Sequence, residues 1–133
     1  MSATQPELQN LGFTLDIEMK NSRMISLKAA PLDRFDEGLD EWIELTPEEL
    51  RQPGFVGNSL KLKSLKGKTQ RTYFNEKGVF TLAEVVEKIV DFERIDRKDP
   101  KNEWFGGIDC HHIFFEGLHP IVGDDAYCIY WGS

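Results

Sequence analysis

Residues 80–95, FTLAEVVEKIVDFERI, contain the clearest helix signal in this chain of 133 residues. Thr81 is a good N-cap, and Glu84 three positions later completes a capping box. The apolar side chains that follow recur at helical spacing with polar residues between them. A helix with one apolar stripe needs a layer beneath it, and the rest of the chain offers strands. The sequence therefore predicts an α+β fold whose principal helix covers about 81–95 and packs on one face of a sheet.

Short runs in which apolar and polar residues alternate predict the strands of that sheet. Residues 11–20 alternate in this way, and a turn joins them to a second strand over 24–30. The same alternation predicts a strand over 41–45 and a hairpin built from 60–63 and 69–74. Hairpins join antiparallel strands, so we expect a mainly antiparallel sheet.

Two segments between these strands have their own signals. Thr46 and Glu49 form a second capping box around Pro47, which predicts a short helix near 47–51. Residues 31–41 are rich in Asp and Glu, and this composition indicates a loop.

The two most apolar runs, 108–115 and 126–131, come late in the chain. Runs that are apolar on both faces are typical of central strands covered above and below, or of strands at a subunit contact. We expect these two strands to be antiparallel neighbours joined by a loop over 117–125.

The length and a hydrophobic content of 40% are typical of one folded domain. We expect a flexible polar lead-in over 1–10 and a single globular domain over 11–133. The sequence predicts neither a signal segment nor a membrane span, which makes the cytoplasm the expected compartment. Cys110 and Cys128 lie among apolar residues, so we expect both to be reduced, and we expect no cofactor.

The net charge of −7 disfavours general affinity for nucleic acid and for anionic membranes. The charges are unevenly distributed: residues 33–49 hold eight acidic side chains against Arg34 alone, and residues 61–71 hold five basic ones and no acidic one. Such runs usually face water, and two runs of opposite sign attract each other weakly when they lie close together. Nucleic-acid binding through residues 61–71 is one functional hypothesis, and the net charge disfavours it.

Residues 104–120, WFGGIDCHHIFFEGLHP, hold all three histidines of the chain. On an extended strand, Asp109 and His111 face one way, whereas His112 and Glu116 face the other. This division, with a spacing that matches no metal motif, makes a metal site the less favoured interpretation. The ordinary interpretation is histidines that are hydrogen-bonded within the fold.

One candidate binding site remains at the end of this strand. There, the polar side chains of His112, Glu116 and His119 can meet around a bend at Gly117. Aromatic residues cluster in the same third of the chain, and any that project outward would suit protein binding. The candidate binding residues are His111, His112, Glu116, His119, Trp104 and Tyr130.

The preferred functional hypothesis is a small cytosolic protein-binding module without enzymatic activity. An immunity or antitoxin-type inhibitor of a basic partner fits its size and charge, because an acidic domain is steered onto a basic surface. The alternative is a hydrolase-type enzyme or a small-ligand-binding protein with a His/Glu site near 109–119, with or without a divalent metal. Self-association into a homo-oligomer is compatible with either hypothesis.

Overall fold

The computed structural model describes residues 3–21, 23–64, 69–97 and 112–132. The fold is α+β with mostly antiparallel sheets, as predicted. The helices are α1 (Pro6–Gln9), α2 (Pro47–Leu50) and α3 (Leu82–Asp96). The strands are β1 (Ala3–Thr4), β2 (Leu11–Gly12), β3 (Leu15–Lys20), β4 (Arg23–Ala29), β5 (Asp33–Asp36), β6 (Glu41–Glu44), β7 (Pro53–Val56), β8 (Ser59–Lys63), β9 (Gln70–Phe74), β10 (Val79–Thr81), β11 (Phe114–Pro120) and β12 (Tyr127–Gly132).

Helix α3 begins at the predicted capping box. The Thr81 hydroxyl accepts a hydrogen bond from the Glu84 backbone N–H at 3.2 Å, and the Glu84 carboxylate accepts one from the Thr81 N–H at 3.0 Å. The helix packs its apolar face against β4, β7 and β10. The buried side chains of that face are Leu82, Val85, Val86, Ile89, Val90 and Phe92. The short helix α2 has the same type of cap, formed by Thr46 and Glu49, so both predicted helices are confirmed.

The described strands form four groups. One sheet has the order β11-β12-β8-β9, a second β2-β5-β6 and a third β1-β7-β10, while β3 and β4 form a hairpin. Only the β12–β8 pair is parallel among the described strands. The predicted hairpins β3–β4 and β8–β9 and the predicted antiparallel pair β11–β12 are confirmed.

A single bridge joins two of these sheets into one continuous layer. Thr14 pairs with Phe114, and the Phe115 N–H donates to the carbonyl of Phe13 at 3.0 Å. The segment that directly follows β2 therefore lies beside β11. The layer follows the order β6, β5, β2, β11, β12, β8 and β9, with one face toward the core and one face outward.

Three aromatic rings hold this layer to the core. Phe13 stacks on Phe115 with 4.8 Å between ring centroids, and the Trp131 ring meets both edge-on at 5.8 Å. Inward side chains of the neighbouring strands complete the same cluster, among them Leu60, Leu62, Leu118 and Ile129. Burial of this apolar surface is the main stabilising contribution to the fold.

The N-terminal residues, for which the sequence predicts a flexible lead-in, form two short elements that contact the rest of the fold. Ala3 and Thr4 pair with β7, and Leu8 on α1 is only 1% exposed. The reason is Leu8 itself, an apolar side chain in a polar segment, which enters the common core.

Residues 33–36 form strand β5 rather than part of the expected loop. Asp and Glu disfavour strands locally, but β5 pairs with β2 on one side and β6 on the other, and this tertiary pairing prevails. The predicted strand at 41–45 is confirmed as β6.

The sequence also misplaces the end of β11, which continues to Pro120 rather than ending before Gly117. An extra residue at Glu116 forms a bulge, and Gly117 takes a φ of 120° that other residues rarely adopt. The bulge lets the strand continue where a loop was expected. The outer face of β11 and β12 is covered only in part within this chain, since Phe114 and Tyr130 are 36% and 43% exposed while Cys128 on the same face is buried.

Candidate binding surface

Three aromatic side chains form a strip across the outer face of the layer. The Trp42 ring of β6 meets Phe35 edge-on at 5.4 Å between centroids and Phe114 of β11 at 5.9 Å. The indole lies over Gly12, where a Cβ atom would overlap it. Trp42 remains 48% exposed. This aromatic strip of Phe35, Trp42 and Phe114 therefore holds a large ring in a fixed position while leaving nearly half of it open to solvent.

Carboxylates flank the strip in an arrangement that is unfavourable in the free protein. Asp33 lies directly opposite Glu44, and Asp36 directly opposite Glu41, across the β5–β6 pair. Like charges in such cross-strand positions repel each other. Among the described residues, Asp33 and Glu44 have no ion pair, so no cation in this part of the structure offsets their repulsion.

Arg34 neutralises two other carboxylates of the acidic segment. Its guanidinium pairs with Asp36 at 3.3 Å and with Glu49. The pKa of Asp36 is lowered, first by a hydrogen bond from the Leu39 backbone N–H and then by Arg34. The pKa of Glu49 is lowered first by the Thr46 backbone N–H and then by Arg34. These groups have local structural partners, in contrast to Asp33 and Glu44.

The bulge in β11 adds a third carboxylate to the same face. Glu116 lies on the outward side with Phe114, and its side chain crosses over Gly132, where a Cβ atom would collide with it. Farther along the strand, His119 stacks on Tyr130 with 3.9 Å between ring centroids. The outer face thus continues from the strip to a second aromatic pair.

We call this region the aromatic–acidic surface. It comprises the aromatic strip, three carboxylates and the His–Tyr pair at its far end. Its residues are Asp33, Phe35, Trp42, Glu44, Phe114, Glu116, His119 and Tyr130.

The structure brings together three of the six predicted binding residues: Glu116, His119 and Tyr130. His112 precedes β11, and its backbone carbonyl accepts a hydrogen bond from Arg97 Nη2 at 2.6 Å. An extended run from His112 to His119 spans roughly 20 Å, so His112 does not join His119 at one small ion. Trp104 and His111 lie outside the described residues, as do Asp109 and Cys110.

No group of three or more His, Cys, Asp and Glu side chains converges within the described ranges. A groove of about 510 Å³ lies between α1, β5 and α2. The described residues that line it include Arg34 and Glu49 but no histidine. It therefore does not coincide with the His/Glu site predicted near 109–119.

Two lysines of the basic segment, Lys61 and Lys63, are neutralised by carboxylates of the β11–β12 turn. Lys63 pairs with Asp124 at 2.8 Å, and Lys61 pairs with Asp124 at 3.7 Å and Asp125 at 3.2 Å. The hydrogen bond from Lys63 is the main cause of the lowered pKa of Asp124. The partners of Lys61 and Lys63 are therefore in the turn between β11 and β12 and not in residues 33–49. Lys66 and Lys68 lie outside the described residues.

Glu93 forms a second polar cluster, inside the protein. Its side chain is almost fully buried, and burial raises the pKa of Glu93 to about 7 against an opposing effect from Arg97. Arg97 Nε donates to Glu93 Oε1 at 2.9 Å, and the guanidinium lies 5.3 Å from the Trp131 ring centroid. The cluster joins α3 to β12, and this position indicates a structural role.

Trp42 and its neighbouring carboxylates Asp33 and Glu44 are not among the binding residues predicted from the sequence. A usable signal was present, since Glu41 to Leu45 alternates and Ile43 and Leu45 are the apolar members. With Leu45 directed into the core, alternation turns Trp42 and Glu44 to the opposite face. A tryptophan predicted on the polar face of a short strand is a reason to expect binding.

Comparisons with protein-family models, with curated proteins and with solved structures gave no match for this chain. Within the described part of the chain, no helix has the length and apolar character needed to cross a membrane. Functional inference therefore depends on the surfaces of the protein itself.

Proposed function

We propose that this chain is a protein-binding module without enzymatic activity, which holds a basic protein on its aromatic–acidic surface in the manner of an immunity or antitoxin-type inhibitor. The observation that carries the proposal is the placement of Trp42. It is half exposed, wedged between Phe35 and Phe114, with the carboxylates of Glu44 and Glu116 on the same face. Exposed tryptophan held in a fixed position is the side chain that most often dominates the binding energy of an interface.

The charge arrangement supports a basic partner over an acidic or neutral one. Asp33 and Glu44 repel each other in the free protein, and a cation placed between them relieves that repulsion on binding. Lysine and arginine also bind favourably over the face of an indole ring, as Trp42 offers. The net charge of −7 steers a basic protein toward this chain and makes association faster at low salt.

The proposal includes the cytoplasm as the compartment. Cys128 is a buried free thiol whose pKa is raised by burial, and this suits a reducing environment. Nucleic acid is not the proposed partner, because Lys61 and Lys63 are already paired with Asp124 and Asp125.

Affinity capture from an extract of the native cells at low and moderate salt tests the proposal. The wild-type chain is compared with Trp42→Ala and Glu44→Lys. The matched controls are Phe74→Ala, which removes a 75% exposed ring on the far edge strand β9, and Glu76→Lys, which makes the same charge change in an exposed turn.

We expect a specific basic protein that wild type and both controls retain and both test variants lose by about tenfold or more, as for an interface anchor. Capture should also weaken as salt rises. Retention of the partner by Trp42→Ala and Glu44→Lys would contradict the proposal. So would the absence of any specific partner at both salt concentrations.

The hydrolase or ligand-binding alternative has no observation in its favour within the described residues. Glu116 and His119 share a face, but His119 stacks on Tyr130 and the two lie on an open surface rather than in a cleft. Elemental analysis of tag-free protein, with melting measured before and after chelation, tests its metal-dependent form.

A further inference from the structure

Strand β6 is the edge of its sheet among the described strands, and its hydrogen-bond register identifies which backbone groups face outward. The Leu45 N–H donates to the carbonyl of Leu32 at 2.9 Å, directly across the β5–β6 pair. Hydrogen-bonded and non-hydrogen-bonded pairs alternate along an antiparallel ladder. The Asp33–Glu44 and Phe35–Trp42 pairs are therefore non-hydrogen-bonded, and the N–H and C=O groups of Trp42 and Glu44 point away from β5.

The opposite side of β5 agrees with this register. The Phe35 N–H donates to the Asn10 carbonyl at 3.1 Å, on the β2 side of the strand rather than toward β6. No described strand pairs with the outer edge of β6. The two outward-facing residues, Trp42 and Glu44, are also the two β6 residues whose side chains belong to the aromatic–acidic surface.

We propose that the outer edge of β6 accepts an extended basic segment of the partner as an added β-strand. This inference rests on the proposed function, and it specifies how the partner is recognised. Four backbone groups, the N–H and C=O of Trp42 and of Glu44, supply the hydrogen bonds that hold the segment. The neighbouring side chains supply its selectivity.

Side-chain alternation determines which side chains of the added strand lie next to Trp42 and Glu44. A strand added beside β6 directs every second side chain onto the aromatic–acidic surface, next to Trp42 and Glu44. Lysine or arginine at such a position meets the carboxylate of Glu44 and the exposed indole together. The intervening side chains lie on the opposite face, beside Glu41 and Ile43, where a basic and an apolar residue fit.

Charge also disfavours a second copy of this chain as the occupant. Antiparallel self-pairing through the outward-facing groups of Trp42 and Glu44 places the two Glu44 side chains diagonally across the new strand pair, and each copy carries a net charge of −7. Like charges on neighbouring strands repel each other, and edge strands commonly carry charges that prevent self-association. The acidic edge thus selects a basic strand and rejects its own.

A titration with synthetic peptides tests the inference on the full chain. The probe is a short capped peptide in which Lys and Arg alternate with Thr and Val. Two further peptides carry N-methyl groups on the odd-numbered or on the even-numbered amides, so that one of them always blocks the N–H groups that face β6. A fourth peptide replaces the basic residues by Glu. The protein variants are Glu44→Lys and the matched control Glu76→Lys.

We expect the basic peptide to slow amide hydrogen exchange at Trp42 and Glu44 by about tenfold or more, because their N–H groups become hydrogen-bonded. One of the two N-methylated peptides should bind about tenfold more weakly than its parent, because it cannot form those bonds. The Glu peptide and Glu44→Lys should lose binding to a similar extent, and Glu76→Lys should not.

The outcomes separate this inference from the proposed function. If both N-methylated peptides bind as well as the parent, or if bound peptide leaves the Trp42 and Glu44 amides unprotected, strand addition is overturned while a basic partner on this surface stands. Failure of the peptide to bind, with a basic protein still captured through Trp42, also overturns strand addition alone. Failure of both the peptide and the capture experiment overturns both proposals.

Discussion

Glu93 on α3 and Arg97, which caps the C-terminal end of that helix one turn later, form an ion pair in the protein interior with 2.9 Å between Oε1 and Nε. Arg97 also donates to the His112 carbonyl just before β11 and lies against the Trp131 ring of β12. The helix and both C-terminal strands therefore meet at one buried pair of charges. Removing one partner of such a pair leaves an uncompensated charge, which typically costs about 3 to 5 kcal/mol.

The buried carboxyl of Glu93 makes stability depend on pH. Burial raises the pKa of Glu93 in the folded state from its ordinary 4.5 to about 7. Between these two values the folded protein holds a proton that the unfolded chain releases, so the free energy of unfolding falls as pH rises through this interval. We expect a loss on the order of 3 kcal/mol from pH 4.5 to above pH 7. Urea denaturation across this range measures it.

Glu93→Gln separates this effect from the titration of other groups. The amide keeps nearly the same shape and does not titrate, so the variant should lose most of the fall in stability between pH 4.5 and 7. Glu87→Gln, on the exposed side of the same helix, should keep the wild-type profile. An unchanged profile in Glu93→Gln would show that Glu93 is not the titrating group.

The N-terminal residues are expected to contribute to stability. Leu8 is 1% exposed and belongs to the main core, so Leu8→Ala should lower the free energy of unfolding by about 2 to 5 kcal/mol. Gln9→Ala alters an exposed neighbour on the same short helix and should change stability by less than about 0.5 kcal/mol. Chemical denaturation of both variants distinguishes a packed N-terminus from a flexible lead-in, for which neither change would matter.

The two capping boxes should differ in their importance. Thr81→Ala removes the cap of α3, whose apolar face lies in the core, and should cost about 1 kcal/mol. Thr46→Ala removes the same kind of cap from α2, which has four residues, none of them buried, and should cost less. Thermal and chemical denaturation of the two variants side by side measure the difference. Equal losses would mean that each cap acts independently of what its helix buries.

The parts of the fold that could be predicted from sequence are those with local signals. The Thr81 capping box fixed the start of α3, and alternation identified β3, β4, β8 and β9. Strand β1 could not be found in this way, because its two residues are held by pairing with β7, far along the chain. Strand β5 was missed for a similar reason, since its Asp residues disfavour a strand until β2 and β6 lie on both sides of it.

The candidate binding surface was only partly accessible to the same reasoning. Local alternation places Trp42 on the outer face of β6, but its contact with Phe114 depends on the Thr14–Phe114 bridge between two sheets. Glu116 and His119 were expected to meet around a bend at Gly117. They share a face instead because the bulge at Glu116 shifts the alternation by one residue. Neither the long-range pairing of the two sheets nor the bulge leaves a local sequence signal that is strong enough to predict this surface.

Gly12 is predicted to be as important for the surface as Trp42 itself. A Cβ atom at Gly12 would overlap the indole, so Gly12→Ala must displace the ring from its place beside Phe35 and Phe114. We expect a changed tryptophan emission spectrum and a loss of about 1 kcal/mol of stability, in the range for an overpacked contact with a partly exposed neighbour that can move.

A double-mutant cycle with Trp42→Ala tests whether the two effects have one cause. Once the ring is gone, the added methyl group of Gly12→Ala meets open space, so the double variant should be no less stable than Trp42→Ala alone. Binding of the basic partner should be weakened by Gly12→Ala in the wild-type background and unaffected by it in the Trp42→Ala background. Additive losses in both measurements would mean that Gly12 acts through the backbone of β2, and that the position of the indole does not determine binding.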